Sequence, residues 1–308
     1  MSTLAAHVEG YLGIRRALGH RLHVHDRLLG DFVAYLAQRG QGGVTVDAAI
    51  RWASAPPEAS AAQVARRLSV VRGFATYLAA FDPTTEVPPA HLVAPGAGRR
   101  TPYVFTATEV TALMSAARRL RPPLRAAGFT TLIGLMAATG LRTSEAFRLD
   151  RSDVALVDGR LLVRHSKYGK SRRIPLHPST VAALARYARR RDQLCPAPQS
   201  EAFLVSRDGD RLGGGSVSRT FRRLLAQAAI TVPAGRRAPR LHDLRHAFAV
   251  ATLRDWHAED LDVQASLPAL SEYLGHLNPA HTYWYLEAVP ELTAVLAARL
   301  ERYLEEPS

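Results

Sequence analysis

The chain has 308 residues, enough for two domains, and its 47% hydrophobic and 22% charged residues exclude fibrous and largely disordered proteins. One cysteine, Cys195, excludes a disulfide framework, and the longest apolar stretch, residues 126–141, is too short to cross a membrane, so we expect a cytoplasmic protein without membrane attachment. The 40 basic residues exceed the 27 acidic ones by 13, which favours a polyanionic partner, although nucleotide bias in the source genome also explains an arginine-rich chain.

Residues 1–88 are predicted to form a helical domain. Apolar residues recur at three- and four-residue spacing from Leu28 to Leu36, and Gly40 ends that pattern. A second helix is predicted after Thr45 and a third over residues 61–80. The domain is therefore predicted to be a small helical bundle.

The third helix carries a basic face, and the segment after the bundle carries further arginines. Arg66, Arg67 and Arg72 lie beside apolar residues, as expected of a helix on a phosphate backbone, although a solvated arginine face has the same pattern. Residues 89–103 are rich in proline and glycine and are predicted to be an interdomain linker. Tentative DNA contacts in these two regions are Arg66, Arg67, Arg72, Arg99 and Arg100.

Residues 104–308 are predicted to form a second domain that mixes helices with a small sheet. Thr106 or Thr108 can cap a helix, and a long apolar helix over residues 124–139 ends at Gly140. Alternating residues and an Asp158-Gly159 turn predict an antiparallel meander of strands at 154–156, 160–165 and 171–176, followed by further helices. The fold class is thus mainly α, with a helical N-terminal domain and a mixed α/β catalytic domain.

Two segments of this domain carry candidate binding residues near the sheet. Arg142 follows Gly140 and opens a helix, where an anion is favoured, and Glu145 one turn later can hold its guanidinium. The hairpin at residues 164–173 contains the only two lysines of the chain, Lys167 and Lys170. Lysine can release a proton whereas arginine cannot, so their retention in an arginine-rich chain indicates a specific use.

Two further segments lie near the C-terminal end. His242 and Arg245 are three residues apart, so they share a helix face and can grip one phosphate. Gly275-His276 ends another helix and is followed by Tyr283 and Tyr285 around a tryptophan. Each of the four segments, taken alone, is also explained by ordinary structure: a capped helix with an ion pair, an exposed basic turn, a common His–Arg spacing, and core aromatics.

Together the four segments predict phosphoryl transfer without a metal ion. Arginines neutralise the oxygens of the pentavalent transition state, a tyrosine oxygen attacks and forms a covalent phosphotyrosine, and a lysine protonates the leaving oxygen. No acidic pair at the spacing of metal ligands accompanies them, so we expect no metal and no other cofactor.

The order of these residues resembles the tyrosine recombinase (phage integrase) family. The resemblance rests on Arg142, Lys167, His242-x-x-Arg245, Leu274-Gly275-His276 and a tyrosine nine residues after that histidine, and it covers residues 104–308. It implies that the first domain is a core-binding domain and that Glu145 supports Arg142. Lys170 and Arg172, in the basic hairpin, are tentative DNA contacts. The implied catalytic residues are Arg142, Lys167, His242, Arg245, His276 and the nucleophile Tyr285. Lys170 and Tyr283 are the alternatives for the lysine and the nucleophile.

The resemblance also implies partners and a reaction. A member of this family closes on its double-stranded DNA target as a C-shaped clamp, cuts one strand per protomer to a 3′-phosphotyrosine and a free 5′-hydroxyl, and exchanges strands in a homo-tetramer. The terminal helix, residues 290–304, would dock on a neighbouring protomer, and an accessory recombinase or other protein can be required. Integration, excision or transposition of a mobile element, in a nucleoid-associated protein, is the expected role. A tyrosine-type topoisomerase and a catalytically inactive DNA-binding accessory protein are the alternatives.

Overall fold

The computed structural model of the chain describes residues 3–20, 22–90, 92, 102–164, 171–232, 237–276, 278 and 282–283. The chain divides into two compact units, Met1–Arg100 and Thr101–Ser308. The division falls within the linker predicted at residues 89–103, whose limits stay a prediction. Most of the described residues are helical and the sheet found among them is a three-stranded antiparallel meander, which confirms the predicted fold class. None of the helices formed by the described residues has both the length and the apolar character needed to span a bilayer.

The N-terminal unit is a helical bundle. Its described helices are α1 (Thr3–Ala17), α2 (His23–Ala37), α3 (Val46–Ser54) and α4 (Ala61–Leu78). The hydroxyl of Thr45 caps α3 by accepting from the amide of Ala48 at 3.2 Å. The core of the bundle includes Phe32, Trp52 and Phe74, none of which is more than 3% exposed. The helices predicted over residues 28–36, after Thr45 and over residues 61–80 are therefore confirmed.

The other α-helices formed by the described residues belong to the second unit. Those described are α5 (Ala107–Arg118), α6 (Pro123–Thr139), α7 (Thr143–Arg148), α8 (Pro178–Leu194), α9 (Gly214–Gln227), α10 (Asp243–Ala258) and α11 (Val263–Leu274). Thr106 and Glu109 form a capping box at the start of α5, so Thr106 is the cap and not the alternative, Thr108. Helix α6 lies in the hydrophobic core, where Leu132, Ile133 and Met136 are fully buried.

The sheet consists of β1 (Val154–Ala155), β2 (Arg160–Val163) and β3 (Arg172–Pro175), so all three strands are shorter than predicted. All pairs are antiparallel, and Leu161 of β2 lies opposite Ile174 of β3 with both side chains fully buried. Because successive side chains point to opposite faces, Arg172 shares the inward face of Ile174, whereas Arg173 is exposed.

Candidate active site

The backbone turns sharply at Gly140, between α6 and α7. Its φ of 59° lies in the left-handed region, and a Cβ at this position would stand 2.5 Å from Cδ1 of Phe248 and 3.0 Å from Cδ2 of Leu274. The turn therefore requires glycine, and it places Arg142 at the N-cap of α7. Since Phe248 belongs to α10 and Leu274 to α11, both helices pack against the turn that presents Arg142.

Glu145, in the first turn of α7, holds two guanidinium groups. Its Oε1 accepts from Nη1 of Arg142 at 2.8 Å and from Nη1 of Arg172 at 2.9 Å. Its Oε2 accepts from Nη2 of Arg172 at 2.9 Å and from the backbone amide of Arg142 at 3.0 Å. Burial alone would raise the pKa of this carboxyl, but hydrogen bonds and charge from Arg172 and Arg142 lower its pKa to about 2. Glu145 is therefore an ionised carboxylate in a buried position.

The last carbonyls of α11 accept hydrogen bonds from three arginines. Nε of Arg172 donates to the carbonyl of Tyr273 at 2.8 Å, and Nη2 of Arg245 donates to that of Leu274 at 2.7 Å. Nη2 of Arg142 donates to the carbonyl of Gly275. Carbonyls at the end of a helix lack partners within the helix and carry its negative dipole end, so cations are favoured there. The three arginines therefore fix the end of α11 in place.

Gly275 ends α11 in a conformation that suits glycine. Its φ is 69°, and a Cβ there would lie 3.0 Å from Nη1 of Arg172 and 3.3 Å from Nη1 of Arg142. The backbone at Gly275 thus passes directly beneath two guanidinium groups. A side chain at this position would displace at least one of them.

Arg245 joins two helix ends from a buried position. The residue is 2% exposed, and its Nη1 donates to the carbonyl of Gly140 at 2.8 Å while Nη2 reaches Leu274 of α11. Arg245 lies in the first turn of α10, so this single side chain connects α6, α10 and α11.

His242 precedes α10 and lies close to the arginines of the site. Burial is the largest cause that lowers the pKa of its imidazole to about 4, and the charges of Arg245, Arg240 and Arg142 lower it further. The imidazole is therefore neutral at neutral pH, and its unprotonated nitrogen can accept a hydrogen bond there.

Asp243, the first residue of α10, is fully buried and anchors the preceding loop. Its Oδ2 accepts from the backbone amide of Arg240 at 2.6 Å, and both carboxylate oxygens accept from Nη2 of Arg237 at 3.2 Å. Burial is the main cause of its raised pKa, and the amide and the two arginine charges oppose that effect. These bonds hold the loop at residues 237–240 against the start of α10, where His242 lies.

His276 follows Gly275 directly and contacts a residue from the next segment. Its Nδ1 lies 2.8 Å from the hydroxyl of Thr282, which is fully buried. A hydrogen bond at one ring nitrogen orients the imidazole. Thr282 is therefore placed to orient His276.

The summed charge of the site is positive. Arg142, Arg172 and Arg245 converge on α11, and Glu145 is the carboxylate that Arg142 and Arg172 share. Such a cluster of guanidinium groups can bind an anion with phosphate geometry. Among the residues that the structure describes, no group of three or more His, Cys, Asp or Glu side chains is arranged to hold a metal ion.

Comparison with known proteins identifies the family. Residues 103–291 match the phage integrase family. The chain belongs to this family. It is 40% identical to the putative integrase/recombinase y4rB of Sinorhizobium fredii, over 99% of both chains, and 30% identical to the tyrosine recombinase XerD of Rhizobium meliloti, over 93% of this chain and 92% of the relative.

A solved structure of the same fold is the lambda integrase tetramer bound to a Holliday junction. Its TM-score to this chain is 0.63 at 20% sequence identity, and the match covers 92% of this chain and 76% of that one. With the family match and the XerD relative, the chain is a tyrosine recombinase, an enzyme that cleaves and rejoins DNA. The predicted family and enzyme class are confirmed.

The structure of this tyrosine recombinase brings four of the six predicted catalytic residues together. Arg142, His242, Arg245 and His276 come from three separate segments and converge where α7 and α10 begin and α11 ends. Lys167 and Tyr285 lie outside the described residues, as do Lys170, Arg99, Arg100 and the terminal helix predicted at residues 290–304. Tyr283, the alternative nucleophile, is described and is 38% exposed. The catalytic roles of all these residues stay predictions.

The three arginines of α4 differ in their surroundings. Arg66 is exposed. The guanidinium of Arg67 lies 3.7 Å from the ring centre of Trp52 and donates to the Trp52 carbonyl at 2.9 Å. Arg72 donates to the carbonyls of Pro88 and Pro89. Of the three, Arg66 is the one whose exposure best suits a DNA contact, and the DNA-binding role of each stays a prediction.

Sequence reasoning missed two features of the site. Arg172 was predicted only as a tentative DNA contact, yet it forms an ion pair with Glu145; the alternation that buries Ile174 could have shown that Arg172 points inward. The contact of Thr282 with His276 was not predicted, and the spacing between these residues contains no sign of it.

Proposed function

We propose that this tyrosine recombinase is site-specific and that it cuts and rejoins double-stranded DNA through a 3′-phosphotyrosine intermediate formed on Tyr285. The convergence of Arg142, His242, Arg245 and His276 on one positive site supports this proposal, since these residues come from segments far apart in the chain. Positive groups placed around one point stabilise the charge of a phosphoryl-transfer transition state.

The proposed step transfers a phosphoryl group between two oxygens. The phenolic oxygen of Tyr285 attacks the scissile phosphorus while the bond from phosphorus to the 5′-oxygen breaks, and the phenolic proton passes to a base. Lys167 donates a proton to the departing oxygen, which leaves as a 5′-hydroxyl. Rejoining is the reverse, with a 5′-hydroxyl from the partner strand attacking the phosphotyrosine. Neither ATP nor a metal ion enters this scheme, because the phosphotyrosine conserves the bond energy and side chains supply the positive charge.

The described residues have distinct parts in this scheme. Arg142 and Arg245 hold the non-bridging oxygens of the phosphate. His242 is neutral at neutral pH because burial and the nearby arginines lower its pKa, so its imidazole can accept a hydrogen bond from the attacking tyrosine or donate one to the phosphate. His276, oriented by Thr282, contributes a further hydrogen bond to the phosphate.

We also propose that strand exchange takes place in a homo-tetramer on two DNA duplexes, with integration, excision or transposition of a mobile element as the outcome. The lambda integrase, to which this chain is similar in fold, forms a tetramer on a Holliday junction. The relative y4rB is named a putative integrase/recombinase.

A covalent adduct between the protein and DNA tests the proposal. The tagged chain is expressed in its source cells, the cells are lysed in denaturant, and the DNA attached to the protein is captured and sequenced. Wild-type protein should capture a defined sequence, and Tyr285→Phe should capture none because it lacks the attacking oxygen. Tyr283→Phe is the matched control and should behave as wild type. An adduct that persists in Tyr285→Phe and vanishes in Tyr283→Phe would move the nucleophile to Tyr283, and the absence of any wild-type adduct would refute the proposal.

A further inference from the structure

The guanidinium of Arg172 is held by hydrogen bonds to residues of the candidate active site. It is the first residue of β3, its side chain is 15% exposed, and each of its three nitrogens donates to the protein. Nη1 and Nη2 form a two-pronged pair with the carboxylate of Glu145 at 2.9 Å each, and Nε donates to the carbonyl of Tyr273 at 2.8 Å. Such two-pronged pairs fix geometry as well as charge. The guanidinium is therefore committed to α7 and α11.

The contacts of Arg172 determine where the neighbouring arginine lies. Glu145 bonds to Arg172 through both oxygens and to Arg142 through the same two oxygens, so its orientation depends on both partners. Arg142 in turn reaches the carbonyl of Gly275, two residues beyond the carbonyl that Arg172 holds. Arg172, Glu145, Arg142 and the end of α11 thus form one closed ring of contacts.

We propose that Arg172 is a positioning residue for DNA strand cleavage: it locks Glu145 to the end of α11 and so holds the guanidinium of Arg142 where the scissile phosphate binds. This inference rests on the proposed function, because it assigns how the phosphate-binding arginine is held. It differs from a DNA-contact role for Arg172, in which the guanidinium would touch phosphate itself.

The loss of Arg172 changes the charge balance around Glu145. Among the residues that the structure describes, the charged and titratable groups near this carboxyl include Arg142 on its own helix, Arg172 on β3 and His242 at the start of α10. Burial raises the pKa of Glu145, and Arg172 is the main group that opposes it. Without Arg172 the pKa rises, so protonation at mildly acidic pH releases Arg142. Cleavage by the variant should therefore decline with falling pH at values where the wild type is still fully active.

The experiment compares two neighbouring arginines on β3. Arg172→Gln removes the inward guanidinium, and Arg173→Gln is the matched control because it removes the same charge from the exposed face of the same strand. Arg172→Lys keeps the charge but cannot form the two-pronged pair. The DNA is a duplex of the sequence captured by wild-type protein, nicked so that cleavage is trapped. Affinity is measured by titration, and the single-turnover cleavage rate is measured at saturating protein from mildly acidic to neutral pH.

We expect Arg172→Gln to bind the duplex as tightly as Arg173→Gln does but to cleave it about 100-fold more slowly, because small displacements of a catalytic group have effects of that size. Arg172→Lys should recover part of that rate. The decline in rate on the acid side should move to higher pH in Arg172→Gln and should stay at the wild-type position in Arg173→Gln.

Three results would overturn the inference. One is equal cleavage rates for Arg172→Gln and Arg173→Gln, and another is a pH profile of Arg172→Gln that runs parallel to that of the wild type. The third is a loss of affinity in Arg172→Gln with an unchanged rate at saturation, which would make Arg172 a DNA contact. If Arg172→Gln does not fold, as judged by its circular dichroism melt, the same comparisons are made with Arg172→Lys. Failure of wild-type protein to form any adduct refutes the proposed function instead, so the two failures are distinct.

Discussion

Two guanidinium groups close over the backbone at Gly275, at the end of α11. The space beside this residue is already taken, since a Cβ would lie 3.0 Å from Nη1 of Arg172 and 3.3 Å from Nη1 of Arg142. Its φ of 69° adds a conformational reason for glycine. The glycine of the Leu-Gly-His motif is thus required by the arginines above it as much as by the turn.

Gly275→Ala should therefore damage both stability and catalysis. The left-handed conformation costs alanine about 1–2 kcal/mol, and the displaced guanidiniums add to that cost. We expect a lower midpoint of thermal unfolding and a strongly reduced yield of covalent adduct. Gly215→Ala, in α9, is the control because a Cβ there meets nothing within 4 Å and its φ is not positive. Equal stability and equal adduct yield in the two variants would show that the arginines can move aside freely.

At the scale of elements, the ends of α6 and α11 are held together through α10. Arg245 on α10 donates to the carbonyl of Gly140 after α6 and to that of Leu274 at the end of α11. Both carbonyls lie in a buried region, where an acceptor without a donor is costly. Arg245 therefore stabilises the arrangement of three helices, besides its proposed part in binding phosphate.

Arg245→Met should lower the free energy of unfolding by about 2–4 kcal/mol, since two buried carbonyls lose their donors. Arg254→Met, on the same helix, should change it by less than about 0.5 kcal/mol because its side chain is 60% exposed and pairs with Asp255 at the surface. Chemical denaturation combined with hydrogen exchange on α11 measures both effects. If Arg245→Met were as stable as Arg254→Met, the buried hydrogen bonds of Arg245 would not contribute to the free energy of unfolding. Any loss of cleavage would then reflect catalysis alone.

At the scale of the whole molecule, the excess of 13 positive charges favours electrostatic attraction to DNA. A protein that neutralises phosphates releases bound counterions, so its affinity for DNA falls steeply with salt. We do not expect all arginines to contribute equally to DNA affinity, because some of them bind other groups of the protein. Arg67 stacks on Trp52 and donates to its carbonyl, whereas Arg66 on the same helix is exposed.

Affinity for a duplex of arbitrary sequence should fall by roughly 10³-fold or more between about 50 mM and about 200 mM NaCl. Arg66→Gln should reduce the slope of log affinity against log salt by about 1, as expected for one lost phosphate contact, whereas Arg67→Gln should leave that slope unchanged. Fluorescence anisotropy over a salt series measures the slopes. Identical slopes for wild type and Arg66→Gln would remove Arg66 from the DNA interface.

Local sequence patterns were sufficient to predict most of the helices and strands and to recognise the family. Thr45 and Thr106 marked helix starts and Gly140 marked a helix end, because capping depends on residues within one turn of the chain. Alternating residues and the Asp158-Gly159 turn predicted the meander, although the strands are shorter than predicted. The family was recognised from the order along the chain of Arg142, Lys167, His242-x-x-Arg245, Leu274-Gly275-His276 and Tyr285.

The partners of each charged group depended on the tertiary structure. Arg172 is separated along the chain by 27 positions from Glu145 and by 101 positions from Tyr273, and its neighbour Arg173 has the same charge but faces away. Local patterns describe periodicity and capping, which are properties of adjacent residues. Hydrogen bonds to the carbonyls that end α11 form only when distant segments pack together, so the three-dimensional fold alone decided which arginine reaches them.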